Sequence, residues 1–205
     1  MKKLYFAILV PAMLMLVTAP VQADLITTWT GYFTSDHMTD GAGTAPFGEV
    51  VLSQVGNNVE FFVDLYDGSK FMRSGSGNFN NFVFDVDGTG VAAADITGTN
   101  ISVTVGPFLA DGTGTWDFGV YFSDQGTGGS QACSAPLEFT VANATIAELI
   151  VGNGSNIFAA DIISGQTGKT GMVDVTAPVP EPISMLLFGT GLVGVGGYIR
   201  RKLNK

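Results

Sequence analysis

The chain has 205 residues with a formal net charge of −9, enough for one domain plus targeting segments. Between Asp24 and Pro178 it holds 17 of the 18 acidic residues but, of the nine cations, only Lys70, Arg73 and Lys169, a formal charge of −14 for that stretch. Such a surface excludes nucleic acid as a partner, because neutralising phosphates takes clustered Lys and Arg. Cys133 is the single cysteine, so no intramolecular disulfide can form.

The first residues have the three parts of a secretory signal. Lys2-Lys3 is followed by an apolar run from Leu4 to Val17, and Val21-Gln22-Ala23 offers small residues at the two positions that a signal peptidase reads. The run is too short for a span and contains Pro11, so residues 1–23 are expected to be removed by cleavage after Ala23.

From 24 to 175 the pattern is strand and turn, with hardly any helical periodicity. Strands are expected at Leu25–Thr34, Glu49–Val55, Val59–Tyr66, Phe79–Asp85, Ile101–Val105, Thr115–Phe122, Leu137–Val141, Asn156–Ile163 and Met172–Val175. Asp67-Gly68, Asp87-Gly88 and Asp111-Gly112 supply residues that tolerate positive φ at tight connections. One short helix is expected at Ile146–Val151, because Thr145 and Glu148 have the spacing of a capping box and Gly152 follows as a stop. The expected fold is all-β, an antiparallel, jelly-roll-like β-sandwich ectodomain with at most one short helix.

Chemistry-bearing residues are sparse. His37 is the only histidine and lies between Asp36 and Asp40, the setting of a solvated loop residue, and G-x-S-x-G, H-E-x-x-H and C-x-x-C patterns are all missing. No enzymatic activity is therefore expected. The glycine pattern Gly189-Thr190-Gly191-Leu192-Val193-Gly194 follows no strand and sits in an apolar run, so it is no dinucleotide site. No cofactor is called for, with calcium as the one alternative: Asp85 and Asp87 open a loop like that of a calcium site, although its twelfth position would be Ile96 instead of a bidentate Glu. Turn formation by Asp87-Gly88 is the plainer reading. Paired carboxylates could also serve glycoside hydrolysis, and Trp29, Tyr32, Trp116 and Tyr121 could line a sugar cleft, though core packing suits most of them better.

The end of the chain reads as an address. Residues 176–182 form a Pro-punctuated linker ending in Val179-Pro180-Glu181-Pro182, residues 183–199 are an uncharged run of about 25 Å as a transmembrane helix, and residues 200–205 form a basic tail opening with Arg200, Arg201 and Lys202. Positive-inside bias puts that tail in the cytoplasm and the ectodomain across the membrane, a type I topology.

These last residues resemble the PEP-CTERM sorting signal of Gram-negative bacteria. Pro180, Glu181 and Pro182 match its motif, residues 183–199 its helix, and Arg200-Arg201-Lys202 its basic stop. Ile183 stands where many members carry a small polar residue, and the tail is longer than usual. The resemblance implies processing near the motif by exosortase, a membrane enzyme, and delivery to the cell surface or an exopolysaccharide matrix. Three classes of ectodomain fit: a structural or adhesive protein of surface, matrix or biofilm, then a calcium-assisted carbohydrate-binding module, then a hydrolase.

Overall fold

The structure, a computed structural model, describes residues 26–176 apart from 89 and 155. The described chain runs through β1 (Thr28–Tyr32), β2 (Ser35–Asp36), β3 (Gly48–Val55), β4 (Asn58–Leu65), β5 (Lys70–Phe71), β6 (Phe82–Phe84), β7 (Ile96–Thr97), β8 (Ile101–Ala110), β9 (Gly114–Phe122), β10 (Leu137–Ala142), the helix α1 (Ile146–Leu149), β11 (Asn156–Ile163) and β12 (Thr170–Thr176). Five strands form one sheet in the order β1-β3-β4-β10-β7. Seven form the other in the order β2-β12-β11-β6-β9-β8, with β5 also paired to β11. Every pair is antiparallel, and the two sheets close on one core, the expected sandwich.

Alternation builds the five-stranded sheet. In β4, Val59, Phe61 and Val63 turn inward and Glu60 and Phe62 outward, because a strand's side chains alternate between faces. Phe61 sits at the centre of the core, stacked on Phe139 with ring centroids 4.4 Å apart and meeting Phe158 edge-on at 5.8 Å. Among the described residues, the core's buried members run from Phe33 to Val175.

The seven-stranded sheet is buried on both faces along β11, which explains why its sequence reads as an almost continuous apolar run. A second apolar cluster of Val83, Ala110, Trp116, Ala159 and Met172 is buried apart from the main core. Residues 72–81 leave the sheet between β5 and β6, which both pair with β11.

The capping box forms as expected: Thr145 N–H donates to Glu148 Oε2 at 2.7 Å, and Thr145 Oγ1 accepts from Glu148 N–H at 3.4 Å. The helix ends at Leu149, two residues short of expectation. Asp67 and Gly68 both adopt positive φ, 54° and 76°, as their turn requires. The strand expected at Phe79–Asp85 starts only at Phe82. Asn78 and Phe79 have φ of 51° and 63°, and the Asn80 amide donates to the carbonyls of Gly77 and Asn78, so a local turn replaces the ladder. The strand expected to stop at Val105 continues to Ala110 across a register shift between Val105 and Phe108 that accommodates Pro107. The two-residue strands β2, β5 and β7 are too short to leave a period in the sequence.

Candidate functional site: the outer face of the five-stranded sheet

Three rows on the outer face of the five-stranded sheet carry its acidic and hydroxyl side chains, each read directly from the strand registers, with a further row of Val55, Asn58 and Ala142 beside them. Tyr32, Glu49 and Asp64 form the first; Thr30, Val51, Phe62 and Glu138 the second; Thr28, Ser53, Glu60, Thr140 and Thr97 the third. The face thus carries four carboxylates, five hydroxyls of Ser and Thr, one exposed phenyl ring, and no Lys or Arg. A shallow groove of about 460 Å³ runs over the second and third rows, with Gly98 and Thr99 of the β7–β8 connection forming its wall.

Glu60 lies opposite Thr140 and Glu138 opposite Phe62, so the two glutamates are diagonal neighbours on β4 and β10, with Cα atoms roughly 7 Å apart. Both stand on one floor instead of facing each other across a cleft. Sequence inspection misses this pair because 78 residues separate its members; only the β4–β10 register joins them. At the far end of the face, burial and the neighbouring Glu49 push the Tyr66 hydroxyl up to about 12.

Other titratable groups have structural surroundings. Asp161 is fully buried and anchors residues 72–81. Its Oδ2 accepts from Ser74 N–H and Ser74 Oγ–H, both at 2.7 Å, while its backbone pairs with Met72 and Asn81. Burial pushes its carboxyl up to about 6 in spite of those donors. Arg73 secures the same segment by donating to the carbonyls of Phe79 (3.0 Å) and Gln125 (2.6 Å) and lying over the Tyr121 ring at 3.8 Å. His37, expected as a solvated loop residue, is exposed in a loop and also places Nε2 2.5 Å from Oδ2 of the fully buried Asp174 on β12. Of the four aromatics considered for a sugar cleft, Trp116 is fully buried and Trp29 packs edge-on to Phe158, whereas Tyr32 is 48% exposed and Tyr121 is covered by Arg73.

The calcium candidates occupy different environments. Asp85 turns inward and accepts from Asp117 N–H at 2.8 Å, and burial pushes its carboxyl up to about 6. Asp87 is exposed, and its own N–H donates to the Glu148 carbonyl at 2.8 Å. Among the described residues, no group of three or more His, Cys, Asp or Glu side chains is placed to hold a metal ion.

The last described strand ends at Thr176, and the sequence carried after it defines the class of protein: one bearing a C-terminal sorting signal. Residues 178–202 match the PEP-CTERM protein-sorting motif, so this is a PEP-CTERM domain-containing protein, exported and sorted through exosortase. No curated protein and no solved structure matches the chain. Val179, Pro180, Glu181, Pro182, Arg200 and Arg201 fall within the matched segment but outside the described residues, as do the apolar run 183–199, the signal segment 1–23 and its cleavage residue Ala23. Among the described residues no helix is long and apolar enough to cross a membrane.

Proposed function

We propose that the protein is a structural or adhesive component of the cell surface or extracellular matrix, delivered there after removal of residues 1–23 and processing near Pro180–Pro182. The observation that carries the reading is the junction: β12 ends at Thr176 and the sorting motif begins at 178, so the cargo handed over is the acidic sandwich itself. The reading assigns it no catalysis.

Carbohydrate binding is the second reading, favoured by the groove over Glu60, Phe62 and Glu138. Carboxylates accept from pairs of sugar hydroxyls, and a phenyl ring offers a flat apolar face to a pyranose. Calcium plays no part in this version, and a hydrolase stands last because the two glutamates share one floor. Two measurements test the proposal. Intact mass of the exported protein from its host is expected to lack residues 1–23 and Arg200–Lys205; recovery of the whole chain at the cell surface overturns the processing. Co-sedimentation of the sandwich with insoluble host polysaccharide separates the readings: retention that falls at least about tenfold in Glu60→Gln/Glu138→Gln supports the groove. Retention unaffected by that pair leaves adhesion to another face.

A further inference from the structure

Strand β8 forms one edge of the seven-stranded sheet, and nothing in the described chain pairs with its outer side. Protein edges of this length are ordinarily blunted by charge, proline or a bulge, because a row of free N–H and C=O groups is a template for another strand; on β8 the proline and the register shift lie beyond Val105, and residues 101–105 carry none of these. Here the fifteen residues from Ile96 to Ala110 carry no charge, the longest such run between residues 26 and 176, on a domain with a formal charge of −14. Mutual repulsion disfavours contact between copies over most of the surface, and the strand at this edge adds no charge of its own to it.

The edge is also an unfinished core. Ile101, Val103 and Val105 pair with Phe122, Val120 and Phe118 and so share the inward face of the sheet. On the same margin the opposing sheet supplies only the two residues of β7, and exposure rises along β8 to 61% at Val105.

We propose that β8 is a homotypic interface, at which a second copy of this chain pairs antiparallel across a two-fold axis through Val103. The sequence Ile101-Ser102-Val103-Thr104-Val105 is symmetric in character about that residue. A two-fold sets Ile101 against Val105 and Ser102 against Thr104, apolar facing apolar and hydroxyl facing hydroxyl, as isologous pairing requires. The register shift at Val105/Phe108 ends the pairing segment, which keeps the contact to five residues per copy and closes it as a dimer. The inference stands on this edge alone and does not depend on what the groove binds.

The test uses residues 24–176, which hold every described core residue, in a Cys133→Ser background. Sedimentation velocity over a concentration series is expected to show a monomer–dimer equilibrium. Val105→Lys, at an exposed position, should weaken it roughly tenfold, since a two-fold loses two cross-strand pairs at once; Leu109→Lys, beyond the register shift, should not. Mixing Ser102→Cys with Thr104→Cys protein under mild oxidation should give a mixed disulfide that neither gives alone, and a Thr28→Cys/Thr30→Cys mixture on β1 should give none. A domain that stays monomeric throughout, or a dimer indifferent to Val105→Lys and uncrosslinked in the 102/104 mixture, overturns the proposal. A matched circular dichroism spectrum for Val105→Lys keeps loss of fold from being read as loss of pairing.

Discussion

Replacing Asp161 by Asn should stabilise the sandwich at neutral pH, although the residue is fully buried and holds two hydrogen bonds from Ser74. The folded state keeps the Asp161 proton up to about pH 6, against 3.8 in the unfolded chain. The folded protein therefore binds more protons in that window. The stability this group contributes is fully present below about pH 4 and is lost as pH rises through 6. At roughly 1.36 kcal/mol per pH unit, the loss by pH 7 is about 3 kcal/mol. Asn keeps an oxygen that can accept from Ser74 N–H and Oγ–H while removing the charge. It also brings an amide N–H₂ to the side of Asp161 Oδ1, which has no hydrogen-bond partner, and this offsets part of the gain. A net gain of about 2 kcal/mol at pH 7 corresponds to a rise of roughly 4–8 °C in the melting midpoint for a domain of this size. At pH 4 the two proteins should melt together. Thermal melts of residues 24–176 from pH 4 to pH 7 decide it, with Asp85 adding a pH dependence of the same sign to both proteins. An Asp161→Asn domain that is less stable at pH 7, together with a wild type indifferent to pH, would refute the reasoning.

Phe61→Ala, at the centre of the aromatic cluster, should cost about 3–5 kcal/mol in urea unfolding, and a loss under about 1 would mean that the core collapses around the gap. Thr145→Ala removes the cap of α1 and should cost about 1 kcal/mol, with Glu148→Gln milder because the amide can still accept from Thr145 N–H. Arg73→Lys loses the fork that reaches both Phe79 and Gln125, so limited proteolysis should cut within residues 72–81 sooner than in the wild type while the global melt moves little.

Features made by neighbours a few residues apart were legible from residue order. The alternation of Val59, Phe61 and Val63 marks a half-buried strand, Thr145 and Glu148 mark a capped helix, Asp67-Gly68 marks a turn, and Pro180-Glu181-Pro182 with its apolar run and cations marks a sorting signal. In each case the physical cause is local: a two-residue pleat, one hydrogen-bonded turn, or a linear segment that a membrane enzyme reads. The sorting signal is the part of the function that a sequence can hold entirely by itself. Tertiary structure alone decided the rest. Glu60 meets Glu138 through the register of β4 on β10, and His37 meets Asp174 across 137 residues. Asp161 takes Ser74 from 87 residues away because β5 and β6 pair with the same strand and expel the chain between them. Asp85 and Asp87 look like a pair in the sequence, yet one is drawn inward to the Asp117 N–H while the other stays in water. Burial and cross-strand register belong to the closed sandwich, and they determine which carboxylates keep their protons, which line a groove, and which strand stands at the edge of its sheet.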